Sequence, residues 1–79
     1  MRHQIREIEL RRIYPNLRIV CTAECIEEIE RTMRNRGQQE PIHICFTHDS
    51  FRILDGEKRW RASKRLGMKT IKAVIVNDE

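Results

Sequence analysis

No stretch of this sequence approaches the ~18 consecutive apolar residues that a membrane-spanning helix requires. The opening Met1-Arg2-His3-Gln4-Ile5-Arg6-Glu7 also lacks the apolar core of a secretory signal. Both absences point to a soluble, cytoplasmic protein with no membrane partner. Cysteine is scarce as well. Cys21, Cys25 and Cys45 are odd in number, and their spacing matches neither paired C-x-x-C knuckles nor a disulfide framework. Reduced thiols are expected. His43 and His48 flank Cys45, but alternation along residues 41–46 puts His43 and Cys45 on one strand face, and a structural zinc ion wants four ligands in a defined geometry. The plainer reading is a strand with mixed faces. Linkers, low-complexity segments and internal repeats are absent too, so residues 1–79 are expected to form a single domain.

What is present fits a thin two-layer globule. Hydrophobic residues make up 39% of the 79 and charged residues 35%, a mixture suited to folding rather than to a disordered tail. A chain of this length buries roughly 60% of the surface that its unfolded form exposes, so the core is small. The net charge of +4 is unevenly placed: residues 58–72 hold seven Lys or Arg and no acid. Such a surface suits phosphate groups on a nucleotide or on DNA, and equally a solvated helix face.

Alternation of Ile5, Glu7, Glu9 and Arg11 against Arg6, Ile8, Leu10 and Arg12, with Ile13 following, predicts one strand that ends at Tyr14-Pro15-Asn16. Thr22 is placed to cap a helix in which Cys25, Ile26, Ile29 and Met33 recur at helical spacing. Its acids precede its bases, which complements the helix dipole, and Gly37 is placed to end it. Pro41 opens a second strand through Phe46, Thr47-His48-Asp49-Ser50 has turn composition, and Phe51-Arg52-Ile53-Leu54 returns as a third. A second helix starts at Asp55 or Gly56, with Trp60, Ser63 and Leu66 on one face and Gly67 as its stop. A final strand runs from Thr70 to Val76. The order β-α-β-β-α-β describes an α+β domain, a small mixed sheet with helices packed on it.

Chemistry is expected where the third strand passes through Gly56 into the basic helix. The first turn of a helix has unpaired backbone N–H groups and a partial positive charge, which together attract phosphate. Gly56 lets a ligand approach the backbone, Lys58 and Arg59 offer charge and donors, and Glu57 offers a carboxylate for a magnesium ion that bridges phosphates. Singly, each residue has a plain structural explanation. Jointly they favour an anion site, because cations in a first turn oppose the helix dipole unless an anion lies nearby. Trp60 and Ala62 are read as packing residues.

Gly56-Glu57-Lys58-Arg59-Trp60-Arg61-Ala62 resembles the Gly-Glu-Arg-Arg-x-Arg-Ala box of ParB-like N-terminal domains, with Lys58 in place of the first arginine. Met33-Arg34-Asn35-Arg36-Gly37-Gln38-Gln39-Glu40-Pro41-Ile42 is similar to the family's helix end and Gly-x-x-Gln-Pro-Ile loop, with Glu40 in place of glutamine. The resemblance implies the ParB/sulfiredoxin-like fold and a nucleotide-binding function, in which the box wraps the triphosphate of CTP and binding drives a clamp to close around DNA. By position it makes Gly56, Glu57, Lys58, Arg59 and Arg61 the phosphate and metal residues, with magnesium at Glu57, and places Gly37 and Pro41 near the base. Glu40 leaves CTP and ATP both open. The resemblance further implies a nucleoid-associated partition protein with DNA as partner and a homodimer left open. No helix-turn-helix is present to read DNA, so the chain reads as a fragment or a stand-alone version.

Four other readings share this fold or surface. Sulfiredoxin carries its catalytic cysteine in a Gly-Cys-His-Arg turn that aligns with Gly56-Glu57-Lys58-Arg59, and a carboxylate at Glu57 cannot act as that thiolate. A small phosphotransferase acting on free serine needs an acceptor pocket, which the sequence does not identify, and a ParB-like nuclease using two metals needs a paired acidic cluster that is not evident. The last reading is a module that binds DNA or an acidic protein without nucleotide.

Overall fold

The computed structural model describes residues 4–15, 22–38 and 40–76. Its elements are β1 (Ile5–Glu9), a 3-10 turn (Leu10–Arg12), β2 (Ile13–Tyr14), α1 (Ala23–Arg36), β3 (Ile42–Thr47), β4 (Ser50–Asp55), α2 (Glu57–Arg65) and β5 (Thr70–Ile75). The strands form one mixed sheet in the order β1-β5-β3-β4-β2. Neighbours β1 and β5, like β3 and β4, are antiparallel, whereas β3 with β5 and β2 with β4 are parallel. This is the α+β architecture that the sequence implies.

One element differs. The single N-terminal strand is two strands at opposite edges of the sheet, separated by the 3-10 turn. Ile8 and Leu10 alternate as strand residues do, but the next buried residue is Ile13. That spacing of three suits a 3-10 turn, which brings residues i and i+3 to one side. The four residue steps from Glu9 to Ile13 reach at most about 14 Å. Edge strands of a flat five-stranded sheet lie about 19 Å apart, so the sheet must twist and curl to let the chain cross. The Cys21 thiol and the segment after Pro15 lie outside the described residues.

The other boundaries follow local chemistry. Thr22 Oγ1 accepts from the Cys25 N–H at 3.2 Å and starts α1, and Gly37 ends it with φ 77° and an N–H donated to the Met33 carbonyl. The β3–β4 hairpin turns on His48 and Asp49, both at positive φ, the geometry whose twist matches the flanking strands. Thr47 and Ser50 pair in the ladder, so the strands are longer than the expected turn allowed.

Helix α2 lies between the sheet and α1. Its Trp60 joins the sheet core of Ile8, Ile42, Ile44, Phe51, Ile53 and Ile71, while its Ala62 joins Ile26 and Met33 of α1, with Ile29 and Leu66 against them. Burial on two sides explains why Glu57 and Ser63 are also withdrawn from water. Among the described residues, no helix is long and apolar enough to cross a membrane.

Candidate functional site

Gly56 joins β4 to α2 at φ 102° and ψ 22°. A side chain there would be strained by that conformation, and its Cβ would stand 2.6 Å from Ile42 Cγ2 and 2.8 Å from Ile42 Cβ. Glycine is therefore demanded by packing alone, before any ligand is considered. It brings a second consequence: no side chain caps the start of α2, so the first-turn amides lack the partner that Thr22 provides in α1.

The expected site residues on α2 differ in their surroundings. Lys58 is exposed. Glu57 is not: its side chain is only 1% exposed, and Oε2 lies 3.0 Å from Arg61 Nε. Arg59 Nη2 lies 2.9 Å from Glu40 Oε2. The balance for Arg59 thus comes from the chain itself, which corrects the expectation that first-turn cations require an outside anion; for Lys58, which makes no ion pair with the described residues, that argument stands. The cationic surface is likewise weaker than residues 58–72 suggest. Arg65 pairs with Glu30 at 3.1 Å, and the Lys64 ammonium sits 4.6 Å from the centre of the Trp60 ring.

Two cavities flank Arg59. One of about 280 Å³ is lined by Ile29, Asp55, Gly56, Glu57, Lys58 and Arg59. The other, about 370 Å³, includes Met33, Gly37, Gln38, Glu40, Ile29 and Arg59 in its wall. Sharing Ile29 and Arg59, they form a cleft between the end of α1 and the start of α2, so the structure brings Gly37 to the Gly56 turn. Pro41 and Arg61 line neither cavity. Sequence reasoning missed Gln38, whose side-chain amide donates to the Glu40 and Lys72 carbonyls and accepts from the Lys72 N–H. The partner on β5 is 34 residues away, and no local pattern announces such a bond. A larger groove of about 880 Å³, lined among others by Leu10, Ile13, Trp60, Lys64, Met68 and Lys69, was also not foreseen. Among the described residues, no three His, Cys, Asp or Glu side chains gather to hold a metal ion.

The family model of the ParB N-terminal domain matches residues 1–79. The chain belongs to this family. A nucleoid occlusion protein from Geobacillus sp. (strain WCH70) is 36% identical over 80 residues, which cover 96% of this chain and 28% of the relative. The chain thus spans little more than a quarter of the length of that curated relative. Among solved structures, the C-terminally truncated chromosome-partitioning protein ParB from Caulobacter crescentus, complexed with CTP-gamma-S, superposes with a TM-score of 0.85 at 27% identity, covering 96% of this chain and 46% of that one. Sulfiredoxin from Arabidopsis thaliana superposes equally well, with a TM-score of 0.85 at 25% identity over 95% of this chain and 86% of that one. The ParB/sulfiredoxin-like fold is therefore established. The thiols of Cys25 and Cys45 lie on α1 and β3, and neither lines the cavities beside Gly56.

Proposed function

We propose that this ParB N-terminal domain binds a nucleoside triphosphate, CTP or ATP, with magnesium, as part of a partition or nucleoid-occlusion protein acting on DNA. The observation that carries the reading is the uncapped start of α2 behind left-handed Gly56, opening on a cleft lined by Lys58 and Arg59. Backbone N–H groups, the helix dipole and two cations converge there, which is the chemistry a phosphate chain requires. The Caulobacter relative that was solved with CTP-gamma-S supports the choice of ligand.

The phosphates rest on the Gly56 turn, Lys58 and Arg59. Gly37 borders the second cavity, which has room for the base, and Pro41 sets the path of the loop from outside the cavity wall. Magnesium at Glu57 and phosphate at Arg61 are one linked event, because the two side chains hold each other in the structure. Glu57 would hold the metal and Arg61 a phosphate, each released from the contact that joins them in the structure. Magnesium, when bound, supplies charge neutralisation between phosphates. DNA is the second partner, met through exposed lysines outside the cleft such as Lys69 or through further domains, and dimer formation belongs to the same proposal.

Titration of the 79-residue protein with CTP, ATP and GTP in the presence of magnesium, followed by nonspecific DNA, tests the reading. Saturable nucleotide binding supports it. DNA binding with no nucleotide binding up to millimolar concentration replaces it with a nucleotide-independent interaction module.

A further inference from the structure

The loop between α1 and β3 is held in place by Gln38, which bonds both the N–H and the carbonyl of Lys72 on β5. The same side-chain amide donates to the Glu40 carbonyl at 2.9 Å. Glu40 thus leaves a fixed point, and its carboxylate reaches Arg59 at the seam of the two cavities. A carboxylate 2.9 Å from a guanidinium takes donors that a phosphate oxygen would use.

We infer that Glu40 is a specificity-determining residue of the cleft, a resident counter-anion that a phosphate ligand must displace from Arg59. The inference rests on the nucleotide reading and adds what the ligand competes with. Displacement is feasible, since the Glu40 side chain is 72% exposed and that of Arg59 32%. An exposed pair of this kind is worth only about 1.5- to 5-fold in an equilibrium. The displaced carboxylate stays beside the ligand and repels it. Glu28 on α1, Asp55 at the end of β4 and Glu57 on α2 also line the cavities. None of these three pairs with Arg59, and Lys58 is the other cation in the walls. The cleft consequently favours ligands with enough negative charge to hold Lys58 and the Gly56 turn as well as Arg59, and disfavours a lone phosphate.

Calorimetric titration of wild type, Glu40→Gln and Glu40→Ala with inorganic triphosphate, CTP, ATP and the uncharged nucleosides tests this. Both variants are expected to bind the phosphate ligands about 3- to 10-fold tighter than wild type, from loss of the competing pair and of the repulsion. Nucleoside binding should not change. If wild type binds nucleotide and the variants bind no tighter, or if the nucleosides gain as much as the nucleotides, the inference falls while the nucleotide reading stands. Absence of binding in all three proteins overturns both together. Unfolding of both variants also overturns it, because an exposed side chain that waits for a ligand is not needed by the fold.

Discussion

Arg61 Nε lies 3.0 Å from Glu57 Oε2 across one turn of α2, with the carboxylate almost wholly withdrawn from water and the guanidinium about a third exposed. Such a pair contributes less to stability than its geometry suggests, because burying the carboxylate costs much of what the contact returns. Removing one partner is a different matter. Arg61→Ala leaves a buried carboxylate without its guanidinium and should cost about 2–4 kcal/mol, below the value for a fully buried pair because water reaches the arginine. Glu57→Gln keeps an acceptor for Arg61 and should cost only about 1 kcal/mol. Urea unfolding followed by the fluorescence of Trp60, the only tryptophan, measures both. Equal stability of the two variants would show that the pair is not what holds Glu57 inside.

The same pair predicts how magnesium enters. If Glu57 meets the metal when Arg61 meets phosphate, Glu57→Gln should lower nucleotide affinity in the presence of magnesium and change little once the ion is chelated. A loss of the same size under both conditions would assign Glu57 to the fold and not to the metal.

Gly56 and Gly67 both have positive φ, at 102° and 74°, yet substitution should separate them. A Cβ at Gly67 meets nothing within 4 Å, so Gly67→Ala carries only the backbone penalty of about 1–2 kcal/mol. A Cβ at Gly56 also drives into Ile42, a residue with no exposed surface. Gly56→Ala should therefore cost more than about 3 kcal/mol, since close-packed cores do not yield without strain. Thermal unfolding of the two variants side by side gives the comparison, and similar melting temperatures would mean that the β4–α2 turn relaxes freely.

Most of this fold was legible because its punctuation is local. Thr22, Gly37, Gly56 and Gly67 mark helix ends by capping and by φ, and these signals need no knowledge of distant residues. The split of β1 from β2 was hidden because Ile8 and Leu10 alternate correctly up to the very residue where the 3-10 turn begins. The site was legible only in part. Residues 56–59 carry the type and order expected of an anion turn, but the partners that set the local charge, Glu40 for Arg59 and Glu30 for Arg65, come from other segments. A run of basic residues without a nearby acid in sequence is not a run without one in space.

Arg59 and Lys58 stand one residue apart in the first turn of α2, and their different surroundings predict different losses. Arg59 is partly buried and lines both cavities, whereas Lys58 is exposed and lines one. Arg59→Ala should weaken nucleotide binding by about 1.5–3 kcal/mol, the usual value of a hydrogen bond to a charged group. Lys58→Ala should cost less than about 1 kcal/mol and lose its effect as salt rises, since an exposed ammonium acts mainly as a screened point charge. Arg59→Lys is the informative control. It retains the charge but not the planar fork, so if two phosphate oxygens are held at once it should recover well under half of the loss. None of the three changes disturbs a core residue, and all three variants should unfold close to wild type. Full recovery by lysine would reduce Arg59 to a source of charge, and an Arg59→Ala protein that binds as tightly as wild type would remove the phosphates from this turn altogether.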